Sequence, residues 1–278
     1  MKKREKEDNK KLKKYIVNGL TLSRVCATLT MPILFNFLSA PVFLTIIAAI
    51  LFTDFLDGAL ARHWGVSTIF GSLADMGADK LFGFSILIVL STMFPVMIIP
   101  LALEILIPII NSKAASHGAV AKSSEIGRIK TFVLGISMCT LLLIGLSPEI
   151  IKSLETLKVE IIGKHIYAGT KLFLDNILKH KDIITSIVTT AAITSEAVVT
   201  SDYAIKSIKQ ANKSDKNYKM SEYLKNKEYL KYMKKVLFDE KYYQETKDMS
   251  LYEKLTPPEY RENAKVKKLV LDNKKLDK

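Results

Sequence analysis

Four aspartates, Asp54, Asp57, Asp75 and Asp79, stand in or beside apolar runs: residues 41–52 precede them and residues 81–99 follow. A carboxylate placed inside a bilayer costs about 2.5–3.5 kcal/mol on insertion scales, so four of them require a counter-charge. Hard carboxylate oxygens at helical spacing suit a divalent metal, and a cation removes their mutual repulsion. Asp54 and Asp57 are three residues apart, and Gly58 and Ala61 continue their face; Gly71, Asp75 and Asp79 recur every fourth residue as a second stripe. Facing each other, the two stripes form a four-carboxylate cage. The small residues beside it let a large flat group approach the helix backbone. A pyrophosphate bridged by metal fits such a cage. The chemistry available is the holding of a phosphate through bound divalent metal.

These stripes need helices to hold them, and the apolar runs supply the helices. Mean hydropathy is +0.16, a compromise between unlike parts. Residues 15–204 carry 13 Lys+Arg and 13 Asp+Glu, residues 1–14 carry 8 and 3, and residues 205–278 carry 20 and 12, so the net +13 lies wholly in the two tails. The chain therefore divides into a basic arm (1–14), a membrane domain (15–204) and a basic, polar C-terminal tail (205–278). Six apolar segments are expected to cross the bilayer, at about 20–38, 41–61, 69–92, 95–111, 129–146 and 183–204, making an all-α polytopic bundle. Arg62, His63 and Trp64 mark an interface after the second span. An interfacial helix is expected around 148–160. Lys/Arg-rich flanks stay inside, so both termini are expected to be cytoplasmic. The basic balance points to anionic lipid, and no nucleic-acid partner is expected. Cys26 and Cys139 fall in apolar runs and read as small buried hydrophobes rather than a disulfide framework. No cleavable signal peptide is evident.

The stretch from Asp54 to Asp79 reads D-x2-D-G-x2-A-R-x8-G-x3-D-x3-D, with eight fixed positions. It resembles the signature of the CDP-alcohol phosphatidyltransferase family. The segments Asn18 to Arg24, Asp75 to Leu81, Gly127 to Thr131 and Ser201 to Tyr203 resemble the bacterial phosphatidylglycerophosphate synthase branch. Leu103-Glu104 stands where that branch usually has Arg-Glu. The resemblance implies a multi-pass enzyme of the bacterial cytoplasmic membrane, acting as a homodimer. It would move a phosphatidyl group from CDP-diacylglycerol to glycerol 3-phosphate and release CMP, with phosphatidylglycerol, serine or an inositol compound as alternative acceptors. It implies two divalent ions, Mg2+ or Mn2+, on Asp54, Asp57, Asp75 and Asp79, with Asp79 as the base. Gly58, Ala61, Arg62 and Gly71 would line the CDP moiety. Cations for an acceptor phosphate would come from Arg24, Lys80, Lys113, Arg128 and Lys130. An ion pathway or a dimetal lipid phosphatase would use the same carboxylates, and CMP release that depends on an added alcohol separates the three.

The tail beyond 205 is rich in Lys, Glu, Tyr and Asn. Met220, Tyr223, Leu224, Tyr229, Leu230, Met233 and Leu237 recur at roughly helical spacing there. A cytoplasmic amphipathic helix or an irregular solvated tail fits this pattern; the chemistry is expected to survive its removal, the alternative being a helix packed under the bundle that braces the active-site loops. Pro257-Pro258-Glu259-Tyr260 has the PPxY form, a cheap four-residue match.

Overall fold

The computed structural model describes residues 2–116, 125–156, 164–211, 227–249 and 254–255. The PPxY segment lies outside these residues. Among the described residues all regular structure is helical: α1 (Lys2–Leu34), α2 (Ala40–Trp64), α3 (Ile69–Met93), a 3-10 turn (Pro95–Met97), α4 (Ile98–Ser116), α5 (Glu125–Thr156), α6 (Lys164–Lys179), α7 (Lys181–Ala211), α8 (Lys227–Phe238) and α9 (Glu240–Glu245).

Five stretches among the described residues are long and apolar enough to cross a membrane: Lys11–Leu34, Ala40–Trp64, Pro95–Ser112, Ile126–Thr156 and Lys181–Lys206. α3 is not one of them. Asp75, Asp79 and Lys80 occupy its first half, and the apolar run from Leu81 to Met93 is roughly 20 Å long at 1.5 Å per residue, short of a core of about 30 Å.

Several boundaries differ from the sequence expectation. The basic arm is not separate: its Lys and Glu are good helix formers and α1 runs through it. The expected break after residue 146 is absent, because α5 continues through Pro148 to Thr156. A proline removes one helical hydrogen bond. The turn beyond it is tied to α2, where the backbone N–H of Ala40 donates to Glu149 at 3.0 Å. That bond also satisfies an N–H left open at the start of α2. The amphipathic helix of this region is therefore α6, not 148–160. It packs on the end of α5 through Lys171, whose ammonium donates to Glu155 at 2.7 Å; this bond raises the Lys171 pKa. α7 runs seven residues past the expected domain boundary at 204.

α1 packs on α2 and α3, while α4 and α5 both pack on α7. The two groups meet in a core that includes Met31, Phe43, Leu87, Leu90, Met97 and Leu141, all fully buried. Gly145 on α5 faces the side chain of Met93, leaving no room for a Cβ there without displacing the thioether. Cys26 and Cys139 are exposed, on outward faces rather than in the core.

The C-terminal segment is not a detached appendage. Asp239 caps α9 by accepting from the Tyr242 N–H at 3.1 Å. Val236 and Glu240 are buried. The Phe238 ring stacks obliquely on Phe70 in the first turn of α3, with centroids 4.9 Å apart. Glu240 pairs with Lys14 of α1. The Tyr242 hydroxyl donates to the Lys254 carbonyl at 2.8 Å. Residues 227–249 thus form a strap across α1 and the start of α3. On the same side the Lys13 ammonium lies 5.7 Å from the Trp64 ring centroid, joining α1 to the end of α2.

Candidate functional site

The two aspartate stripes are brought face to face by a tight reversal. α2 stops at Gly65, which adopts φ 64° and ψ 30°, a left-handed conformation that glycine enters without a Cβ penalty. The Val66 N–H donates back to the Ala61 carbonyl at 3.1 Å, closing the helix end. Three residues on, the Thr68 hydroxyl accepts from the Gly71 N–H at 3.0 Å and starts α3. A Cβ at Gly71 would lie 3.3 Å from that hydroxyl, so this glycine serves the cap as well as any ligand.

One carboxylate oxygen from each of Asp54, Asp57 and Asp75 lies within 4.8 Å of the others. Asp57 is buried, and Asp54 and Asp75 are half-buried. Asp79, one turn further along α3, is exposed and stands outside this group of three. α1 supplies the counter-charge. The Arg24 side chain is almost fully buried; its Nη1 pairs with Asp54 and lies 3.7 Å from Asp79, and its Nη2 donates to Asp75 at 2.6 Å. One turn earlier, the Thr21 hydroxyl donates to Asp57 Oδ2 at 2.9 Å. Four carboxylates against one guanidinium leave a formal charge of −3. Three convergent hard oxygen donors with excess negative charge fit a divalent cation of the Mg2+/Mn2+ class.

Thr21 is the site residue that sequence reading missed, and Arg24 is in a place it did not foresee. Arg24 holds the aspartates rather than standing apart for an acceptor phosphate. The available signal was their spacing: Thr21 and Arg24 are three apart and share one face of α1. Arg62 lies back along its own helix, so that a Cβ at Gly58 would be 3.3 Å from its Nη1. Its guanidinium covers the small-residue face beside Asp54 and Asp57. Ala61 is half-buried next to it.

The expected acceptor cations differ in setting among the described residues. Lys130 is buried between helices, paired with Glu104 of α4 and 3.2 Å from Glu196 Oε1 of α7. Arg128, two residues away, is exposed, as is Lys80. Lys113 lies near the end of α4, and its side chain is outside the described residues. Glu196 is fully buried, and one turn on the buried Thr200 hydroxyl has no hydrogen-bond partner among the described residues. Lys130, Glu104 and Glu196 form a second charged cluster, which locks α4, α5 and α7 together.

A sequence profile of the CDP-alcohol phosphatidyltransferase family matches residues 14–162, just over half of the chain. The match contains every residue of the aspartate site, from Thr21 to Asp79. No solved structure matches the chain.

Proposed function

The chain belongs to the CDP-alcohol phosphatidyltransferase family, and from that membership we propose that it transfers a phosphatidyl group from CDP-diacylglycerol to glycerol 3-phosphate, releasing CMP. The observation that carries this reading is the convergence of Asp54, Asp57 and Asp75 within 4.8 Å, inside the matched region. Asp54, Asp57 and Asp75 would hold a divalent metal, with Asp79 at the rim, and the metal would supply positive charge against a pyrophosphate. Arg24 and Thr21 fix the rotamers of the carboxylates they touch. Asp79, the exposed member, accepts the proton of the acceptor hydroxyl. The hydroxyl oxygen bonds to the phosphorus that bears diacylglycerol, and the bond from that phosphorus to the CMP oxygen breaks. Gly58, Ala61 and Gly71 leave space for the cytidine, and Arg62 swings from Gly58 to a phosphate. α3 is the sixth crossing in this reading, completed by its neighbours where its own apolar run is short, and both termini are cytoplasmic.

A second reading has an observation of its own. Lys130 is engaged by two carboxylates, and Leu103 contributes no charge beside Glu104. Fewer free cations favour the same transfer to phosphatidylglycerol, serine or an inositol compound. Purified protein with CDP-diacylglycerol and each alcohol in turn, followed by CMP release, tests both readings. CMP is expected only with an added acceptor and divalent metal; EDTA abolishes it and Mg2+ or Mn2+ restores it. Full release in metal-free buffer, or release to water alone, rejects the transferase reading.

The strap leads to a second expectation. It grips the first turn of α3, just before Asp75 and Asp79, and a misplacement of about 1 Å can cost on the order of 100-fold in rate. Truncation after Asn212 is therefore expected to lower turnover in detergent by roughly 10- to 100-fold while the protein stays monodisperse. Unchanged turnover would show that α3 holds its aspartates without the strap.

A further inference from the structure

α8 has two faces. Met233 and Val236 turn inward, and Val236 is fully packed. On the opposite side Lys227, Lys231, Lys234 and Lys235 are all exposed. Their spacing of four, seven and eight residues from Lys227 places them on one stripe. Leu230 flanks that stripe and is 46% exposed, and Phe238 closes its end, half-exposed, with its ring on Phe70. Glu228 is the sole acid in the helix, so four lysines against one carboxylate give α8 a charge of +3. A lysine stripe edged by large apolar side chains is the composition of a helix that lies on a membrane surface.

Its position agrees with its composition. α8 packs on Phe70, six residues beyond Trp64, where the second candidate span ends. Interactions between charges fade over about 8 Å at physiological salt, less than the width of a helix with its side chains, about 10–12 Å. The lysines must therefore meet headgroups by direct contact rather than across the helix. The helix meets α3 through Phe238 on Phe70, and its exposed lysines are suited to a surface of opposite sign.

We propose that the lysine face of α8 is a docking surface for the anionic lipid headgroups of the leaflet that surrounds the bundle, and that this contact keeps the strap seated on α3. The inference needs only the membrane reading of the chain and is independent of the transferase reading.

Amide hydrogen exchange of the full-length protein in nanodiscs tests it, comparing phosphatidylcholine alone with phosphatidylcholine containing phosphatidylglycerol. Exchange across 227–238 and 69–76 is expected to be about tenfold slower in the anionic discs, with the difference lost at high salt. The triple variant K231Q/K234Q/K235Q should lose the difference, and K231R/K234R/K235R should keep it. Exchange in α4 and α5 serves as the check that the variants are folded. Equal exchange of the native protein in both discs overturns the proposal. So does a glutamine variant that keeps the difference, or one that changes exchange alike in both discs, which would assign the lysines to the packing of the strap itself.

Discussion

Asp79→Asn is expected to lower the rate of CMP release by about 10²–10⁴-fold, the usual contribution of a general base, with the helical fold intact. The substitution keeps the side chain's size and removes its charge and its ability to take a proton. Asp79 is the exposed aspartate, set 3.7 Å from Arg24 and outside the group of three that converges. That position suits a base that meets a small alcohol arriving from water. Asp57→Asn serves as the contrast. Asp57 is buried and accepts from Thr21, so its loss should raise the metal concentration needed for activity. Asp79→Asn should lower the rate at saturating metal. Single-turnover rates measured across a metal titration separate the two. A rate for Asp79→Asn within about threefold of the native enzyme would remove Asp79 from the proton transfer.

Lys130→Met is expected to destabilise the bundle by about 3–5 kcal/mol, because it leaves the buried Glu196 and the half-buried Glu104 without their cation. Glu196 is fully buried and Lys130 nearly so, and water cannot take over the lost interaction. The measurement is thermal unfolding in detergent, where a fall in melting temperature of roughly 10 °C corresponds to a loss of this size. Replacing the whole cluster, as Lys130→Met with Glu104→Gln and Glu196→Gln, should recover much of the loss, since no uncompensated charge remains. An unchanged melting temperature with a raised KM for the acceptor would instead make Lys130 an acceptor-binding cation.

What sequence reading reached was the local and the periodic. The aspartate stripes were legible because residues three and four apart on a helix share a face whatever surrounds them. The helical class and most of the apolar spans were legible because a bilayer demands long apolar helices. Five of the six expected spans are long and apolar enough to cross, and the sixth, α3, is the one that carries two of the aspartates. The tertiary structure alone decided which groups answer those charges. Arg24 is 51 residues from Asp75, and Thr21 is 36 from Asp57. No spacing rule links them, because their meeting depends on how α1 packs against α2 and α3. Lys130 read as one of a row of basic residues at span ends, yet Glu104 and Glu196 reach it from two other helices. Composition made the tail look solvated, since four lysines in twelve residues outweigh a narrow apolar face. A few contacts, Phe238 on Phe70 and Glu240 with Lys14, seat it on the bundle. Composition averages over a helix, and packing uses one side of it.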